Sequence, residues 1–197
     1  MKKRVGIIVD STSVSKQLGD LISLSKQSDN YEITSLVINN IVRKRSNIAL
    51  QISSYIRRRG IKKFLDNAFF RIVCKVESTV VKRISKLNKF FSITQLNKKD
   101  FVTIVVKPLI SKSGLVYRYN KEDIKRIKEL DLDLLIRGGS GILRGEILDV
   151  CSNGVISFHH ADNDINRGGP PGFWEVYEKI PRTGFIIQRL KNELDGG

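Results

Sequence analysis

The hydrophobic pattern at the start of the chain predicts a β-α-β unit. Residues 4–10, with the apolar run 5–9, are typical of a buried strand, which ends at the polar residues 11–13. Residues 14–26 then show helical spacing, and residues 32–38 form a second apolar run. Two strands joined by a helix in this order favour a parallel sheet with crossover helices.

The next fifty residues interrupt this alternation. Residues 41–90 predict two or three amphipathic helices rich in Lys and Arg, and the run Arg57, Arg58 and Arg59 marks the end of one of them. We therefore interpret residues 41–100 as a basic helical insertion in the sheet-forming part of the chain.

The strand-and-helix pattern resumes after the insertion. Residues 101–106 predict a strand, residues 121–130 a helix capped by Asn120, and residues 133–137 another buried strand. A glycine-rich turn at residues 138–141 follows that strand, and the next strand is expected at residues 154–158. The pattern as a whole predicts an α/β fold: a three-layer Rossmann-like domain over residues 1–197 with a mostly parallel twisted sheet.

The glycine turn and the end of the last predicted strand are expected at the same edge of the sheet. Open α/β sheets bind ligands at the carboxyl ends of their strands, and glycine permits close approach of the backbone to a ligand. A tight turn without a binding role is the alternative for residues 138–141. A short helix is predicted over residues 142–150, and His159 follows the strand at residues 154–158.

Charge is concentrated in one part of the chain. The net charge is +15, and residues 41–90 alone carry +12. Such a surface attracts an anionic partner: RNA, an anionic membrane surface or a phosphorylated substrate. We place this partner at Arg57, Arg58 and Arg59; a solvated helical insertion without a partner is the alternative.

The composition favours a cytoplasmic protein without a membrane span. No apolar run approaches the roughly 20 residues that cross a bilayer, and no signal peptide is visible. The two cysteines, Cys74 and Cys151, lie far apart in apolar contexts, so we expect buried, reduced thiols and no disulfide or metal site.

The candidate chemistry lies in the last third of the chain. Residues 137–197 contain both histidines, the single tryptophan and 11 of the 15 glycines. His159 ends an apolar strand and Asp195 follows it by about thirty residues, so the two form a general acid/base pair if the fold joins them. His160 is expected to point to the opposite face of the strand.

A series of landmarks from Asp133 to Gly197 resembles the catalytic domain of the folate-dependent formyltransferases. That family has a strand ending in Asn-x-His, a glycine turn with Arg or Pro, a Thr-Gly strand and a final Leu-Asp-Gly loop. The matching positions here are His159, Arg167-Gly168, Pro171, Trp174, Thr183-Gly184 and Leu194-Asp195-Gly196. The family includes methionyl-tRNA, phosphoribosylglycinamide and sugar-amine formyltransferases as well as formyltetrahydrofolate hydrolase.

The resemblance implies transfer of a formyl group from 10-formyltetrahydrofolate to an amine, without a metal. It implies that His159 donates to the developing oxyanion or moves a proton, and that Asp195 orients the histidine or accepts a proton through water. The pterin-binding positions by resemblance are Gly139, Ser140, Gly141, Ile142, Leu143 and Leu194. The expected acceptor is a sugar amine or another small metabolite.

One departure from the family lies next to the histidine. Ser157 stands where the family has asparagine, so one hydroxyl replaces an amide with two N–H groups. A lost oxyanion donor costs about 2.7–4 kcal/mol of transition-state stabilisation. Either water or a neighbouring group such as Asn163 substitutes for it, or the chemistry is weakened or altered.

Two further features leave alternatives open. The chain ends where the family continues with another strand and helix, so we expect a fragment or a shortened member, with an exposed sheet edge that favours a homo-oligomer. The basic insertion offers another reading: a non-catalytic relative that binds nucleic acid or a partner. Methionyl-tRNA formyltransferase and formyltetrahydrofolate hydrolase are the remaining alternatives.

Overall fold

The computed structural model describes residues 1–41, 48–160 and 172–193. The chain divides into two compact units. The first comprises residues 1–14, 18–41 and 95–197, and the second comprises residues 15–17 and 42–94. The interpretation of residues 1–197 as one catalytic domain stays a prediction.

Eleven strands and six α-helices are described. The strands are β1 (Lys3–Val9), β2 (Ser13–Ser15), β3 (Tyr31–Asn39), β4 (Ile93–Gln95), β5 (Val102–Val106), β6 (Leu109–Ile110), β7 (Val116–Arg118), β8 (Leu134–Arg137), β9 (Ile142–Leu143), β10 (Val155–His160) and β11 (Phe185–Arg189). The helices are α1 (Lys16–Ser25), α2 (Ile48–Arg59), α3 (Ile61–Arg83), α4 (Ser85–Asn88), α5 (Lys121–Lys128) and α6 (Phe173–Tyr177).

The first unit is built on a six-stranded sheet with the order β11-β10-β8-β1-β3-β5. Neighbouring strands from β10 to β5 are parallel, and β11 alone in this sheet pairs antiparallel, with β10. The mixed α/β architecture with a mostly parallel central sheet confirms the predicted fold class.

Apolar side chains cover both faces of this sheet. Successive residues of a strand point to opposite faces, so Ile7 and Leu36 pack on one face with Ile22 of α1. On the other face, Ile8 and Leu135 pack with two isoleucines of α5, Ile124 and Ile127. Because the central strands are buried from both sides, polar groups of β1, β3 and β8 reach a ligand mainly at the strand ends.

The local predictions hold for most of the first unit. The β-α-β start is confirmed, as is the cap of α5, where Asn120 Oδ1 accepts a hydrogen bond from Asp123 N at 2.7 Å. The helix predicted over residues 142–150 is wrong. Ile142 and Leu143 form β9, which extends the β6–β7 hairpin by pairing with β7, and only residues 146–149 form a 3₁₀ turn.

The prediction for the cysteines is half right. Cys151 is a buried free thiol, and burial raises its pKa to about 11. Cys74 is exposed on α3. Its neighbours Val73 and Val76 are themselves exposed, so the apolar context of Cys74 in the sequence belongs to a surface and not to a core.

Asp133 ties the start of β8 to the start of β1. Its carboxylate accepts hydrogen bonds from Lys3 Nζ at 2.9 Å and from the Arg4 backbone N–H at 2.8 Å. The Asp133 N–H in turn donates to the Arg4 carbonyl at 2.8 Å. The bonds from Lys3 and Arg4 hold the pKa of the Asp133 carboxyl below its usual value.

We expect Asp133→Asn to lower the stability of the protein in a pH-dependent way. Because the folded pKa is below the unfolded value of about 4, the carboxylate stabilises the fold above that value and loses this effect as the pH falls through the folded pKa. Urea midpoints measured from pH 7 to pH 2 should therefore converge for variant and parent at the acid end. The control is Asp131→Asn, since Asp131 is exposed and contacts Arg4 only at 3.4 Å; a constant gap across the range would contradict the prediction.

Candidate functional site

Polar side chains gather where the buried parallel strands of the first unit end. Asp10 follows β1, Asn39 ends β3, Arg137 ends β8 and His159 is the penultimate residue of β10. These strands are neighbours or next neighbours in the sheet and run in one direction, so their carboxyl ends form one edge. The edge predicted to carry the site therefore carries a cluster of charged and amide groups.

The carboxylate of Asp10 holds the glycine turn in place. Asp10 Oδ2 accepts hydrogen bonds from the Ser140 backbone N–H at 2.7 Å and from the Ser140 hydroxyl, and Oδ1 accepts one from Asn39 Nδ2 at 3.0 Å. A Cβ atom on Gly139 would lie 2.8 Å from Asp10 Oδ1, so this approach requires glycine. The turn at residues 138–141 is thus anchored to the end of β1.

A partly buried chain of hydrogen bonds extends from Asp10 away from the turn. Asn39, only 2% exposed, links Asp10 to Tyr119, whose hydroxyl donates a hydrogen bond to Asn39 Oδ1 at 2.7 Å. Burial raises the pKa of Tyr119 above its ordinary value, so the phenol stays protonated and can donate. Neither Asn39 nor Tyr119 was predicted as a site residue, although Asp10 and Asn39 are polar residues directly at the ends of apolar runs.

The other end of the glycine turn is fixed by Arg137. Its guanidinium donates from Nη1 to the Gly141 carbonyl at 2.8 Å. Gly141 has φ +83°, and a Cβ there would stand 2.7 Å from the Tyr117 ring. From Gly141 the chain enters β9, which places Ile142 and Leu143 beside the cavity described below.

Ser157 and His159 lie on the same face of β10, as their spacing of two predicts. Ser157 is paired with Arg137 of β8 on one side and with Gln188 of β11 on the other, and it is buried. Its hydroxyl donates to the Phe158 carbonyl at 3.2 Å. The expected separation of His159 from His160 is wrong: their rings stack with centroids 5.2 Å apart at the end of the strand.

These side chains border a cavity of about 250 Å³ within the first unit. Residues from β8, β9, β10 and β11 line it, among them Arg137, Ile142, Leu143, Ser157, His159 and Gln188. In the described part of the chain, three buried side-chain nitrogen or oxygen atoms have no hydrogen-bond partner: Arg137 Nε, His159 Nε2 and Gln188 Oε1. All three belong to residues that line this one cavity, which indicates a site for a polar ligand.

Positive charge dominates this cavity. Burial lowers the pKa of Arg137, against the attraction of the Asp10 carboxylate, yet a guanidinium remains protonated in proteins. Arg144 and Lys191 also line the cavity, and Glu193 is the one acidic group in its described lining. The arrangement can therefore hold an anionic or electron-rich group, with imidazole and amide groups beside it.

The predicted site residues divide into two sets. Ser157, His159 and the segment from Gly139 to Leu143 come together at the edge of the sheet. Leu194, Asp195 and Asn163 lie outside the described residues, as do Arg167, Gly168 and Pro171. Gln188 lies with the residues at the edge of the sheet, but the sequence did not predict it as a site residue. Among the described residues, no group of three His, Cys, Asp or Glu side chains forms a metal site.

Comparison with solved structures supports the resemblance to formyltransferases at the level of the fold. Glycinamide ribonucleotide transformylase 1 from Symbiobacterium toebii aligns with 100% of this chain over 69% of its own, with 11% identity and a TM-score of 0.50. Phosphoribosylglycinamide formyltransferase from Bacillus halodurans aligns with 99% of this chain over 75% of its own, with 14% identity and a TM-score of 0.50. No protein-family model and no curated protein sequence matches the chain. The chain thus has the fold of these formyltransferases.

We expect Asp10→Ala to destabilise the first unit by about 2 kcal/mol or more, because it removes a charged acceptor of three hydrogen bonds and leaves their donors unpaired. The free energy of unfolding from urea titration measures this loss. Asp29→Ala is the matched control, since Asp29 is exposed in the turn before β3. Equal stability of the two variants would show that Asp10 does not anchor the turn.

Proposed function

We propose that this protein transfers a formyl group from 10-formyltetrahydrofolate to the amine of a small acceptor, a sugar amine or a related metabolite. The observation that carries the proposal is the set of three unpartnered polar atoms, on Arg137, His159 and Gln188, in one cavity. The cavity lies at the carboxyl edge of a sheet that has the fold of formyltransferases. Identity of 11–14% limits that likeness to the fold, so the activity rests on the site.

His159 is the group proposed to act on the reacting atoms. Attack of an amine on the formyl carbon forms the new C–N bond, places negative charge on the formyl oxygen and leaves a proton on the amine nitrogen that must be removed. The bond from the formyl carbon to the tetrahydrofolate nitrogen then breaks, and that nitrogen takes up a proton as tetrahydrofolate leaves. An imidazole changes protonation near neutral pH and can supply or remove a proton at this point. His159 lines the cavity, and its buried Nε2 has no described hydrogen-bond partner, which supports a role for this nitrogen toward a bound substrate. Asp195 is proposed as the carboxylate that orients this imidazole.

Gln188 is proposed to supply the amide that Ser157 lacks. It lies directly opposite Ser157 on the antiparallel neighbour, its side chain is 8% exposed, and its Oε1 has no described partner. Side chains of directly paired residues stand on the same face of a sheet. The Gln188 amide N–H groups therefore lie on the face of Ser157 and His159 and can donate to a developing oxyanion.

The donor is proposed to bind along the glycine turn and β9, where the resemblance places the pterin. Asp10 and Arg137 hold the turn from its two sides, so Gly139, Ser140 and Gly141 present a fixed backbone. Ile142 and Leu143 add apolar surface at the cavity. A fixed polar backbone beside apolar side chains is suited to a flat heteroaromatic ring.

The first experiment incubates the full chain with 10-formyltetrahydrofolate and a panel of amino-sugar nucleotides and small amines. Formylated product is identified by mass spectrometry, and tetrahydrofolate by its absorbance. Formate released at the same rate without any amine would indicate a hydrolase instead. If the protein binds no donor and forms no product with any acceptor, formyl transfer is contradicted altogether.

We expect His159→Ala to lower kcat at least about a hundredfold while the fold is retained, because a positioned acid/base group contributes about 10²–10⁴ to the rate. The matched control is His160→Ala, which removes the stacked neighbour but leaves the group at the cavity. Circular dichroism and urea midpoints verify folding. Equal turnover of His159→Ala and the parent would refute this role of the histidine.

We expect Gln188→Leu to lower kcat about a hundredfold with little change in KM, since an oxyanion donor acts in the transition state. Gln188→Glu keeps the shape of the side chain but places a carboxylate there, so its kcat should be as low as that of Gln188→Leu. A rise in KM at constant kcat would assign Gln188 to substrate binding instead. Ser157→Ala serves as the comparison and should cost less, because the Ser157 hydroxyl is bonded to a backbone carbonyl.

A further inference from the structure

The longest helix of the second unit carries an apolar stripe that the described chain leaves uncovered. Seven side chains of α3 make up this stripe, and each is between 46% and 70% exposed: Ile61, Leu65, Phe69, Ile72, Val73, Val76 and Val80. No residue of α3 is buried. We call these seven residues the α3 stripe.

Helical geometry places the α3 stripe on one side of the helix. With 100° between successive residues, the seven side chains fall within an arc of about 120°. The neighbouring helix α2 contacts α3 elsewhere: Tyr55 packs on Phe64 with ring centroids 6.3 Å apart, and its hydroxyl accepts a hydrogen bond from Asn67 Nδ2. Phe64 and Asn67 lie outside the arc, so these contacts with α2 do not cover the stripe.

Further exposed apolar side chains follow α3 in the sequence. Ile84, Leu87, Phe90 and Phe91 follow within one short stretch and are all exposed. Basic side chains lie over the two aromatic rings, with Lys82 Nζ 5.8 Å from the Phe91 centroid and Lys89 Nζ 5.2 Å from the Phe90 centroid. Exposed aromatic rings next to lysines are typical of segments that lie at a lipid–water boundary.

The charge of the same region is strongly positive. Residues 48–94 contain eleven Lys and Arg against two acidic residues, a net charge of +9. Arg57, Arg58 and Arg59 end α2, and Lys62 and Arg83 stand at the two ends of the α3 stripe. Within the described residues, no helix is long and apolar enough to cross a membrane.

The apolar α3 stripe and the basic residues around it together fit one kind of partner. A second copy of this surface would bring two net charges of +9 together, which opposes self-association. Nucleic acid matches the charge but offers phosphates and stacked bases, with no apolar volume for aliphatic side chains such as Ile72 and Val76. An anionic lipid bilayer satisfies both features, since its headgroups attract the basic residues and its acyl region accepts the stripe.

We propose that the second unit binds the surface of an anionic membrane, with α3 lying in the plane of the interface and the α3 stripe inserted among the acyl chains. The proposal is independent of formyl transfer. It assigns a role to the basic insertion, for which the sequence left RNA, an anionic membrane surface and a phosphorylated substrate open as partners at Arg57, Arg58 and Arg59.

The test is sedimentation of the full chain with vesicles of phosphatidylcholine alone or mixed with phosphatidylglycerol. We expect binding only to the anionic vesicles, weakened by salt. The variant Leu65→Gln/Phe69→Gln/Val76→Gln should lose at least about tenfold in partitioning, because it removes inserted apolar surface and no charge. Arg57→Gln/Arg58→Gln/Arg59→Gln should also bind less and should show a smaller salt dependence.

The matched control removes three equally exposed leucines from the first unit: Leu24→Gln/Leu109→Gln/Leu115→Gln. We expect it to bind anionic vesicles as the parent does. Absence of parent binding, or equal losses in the stripe variant and the control, would overturn the proposal. So would RNA binding without vesicle binding, or a dimer that the stripe variant abolishes in the absence of lipid.

A single substitution tests insertion independently, in case the triple variant misfolds. Phe69→Trp places a fluorescent side chain within the α3 stripe, and its signal is the difference from the parent, which contains Trp174. We expect this emission to shift to shorter wavelength with anionic vesicles and to stay unchanged with neutral ones. An unshifted emission from vesicle-bound protein would show that the stripe does not insert.

Discussion

The carboxylate of Asp10 is the interaction on which the candidate site depends. The central strands are packed on both faces, so the sheet presents fixed polar groups chiefly where those strands end. Asp10 joins three such ends, because it accepts bonds from Asn39 at the end of β3 and from Ser140 in the turn after β8. The turn fixed in this way continues into β9 and thereby sets one wall of the cavity.

Around that fixed frame the structure leaves selected polar groups unsatisfied. A buried donor or acceptor without a partner costs about 1–3 kcal/mol, so folded proteins contain few of them. Here Arg137 illustrates the contrast: its Nη1 bonds to Gly141, while its Nε faces no described partner. Asp10, Asn39 and Tyr119 are joined by hydrogen bonds, whereas three buried atoms of residues that line one cavity have no described partner. A ligand that supplies the missing hydrogen bonds would remove this energetic cost.

Local features were predictable from the sequence and long-range ones were not. Periodicity identified the β-α-β start, an asparagine before a helical pattern indicated the cap at Asn120, and His159 was found from its place after an apolar run. The partners of Asp10 are 29 and 130 residues away in the chain, and those of Asn39 include Tyr119 at a distance of 80 residues. Gln188 depends on the register of β10 and β11, which no local pattern specifies. The helix expected at residues 142–150 failed because a two-residue strand is too short for periodicity to reveal.

The apolar residues of α3 also show a limit of prediction from sequence: their pattern predicts burial, but they are exposed. Their helical spacing is that of a core-facing helix, and the positions of Cys74 and its valine neighbours suggested burial, yet no residue of α3 is buried. Helices in proteins gain most of their stability from packing an apolar face. The described contact of α3 with α2 uses Phe64 and Asn67 and leaves the α3 stripe exposed. Anything that covers the stripe binds the folded helix in preference to the unfolded chain, so the stability of the second unit is coupled to its partner by mass action.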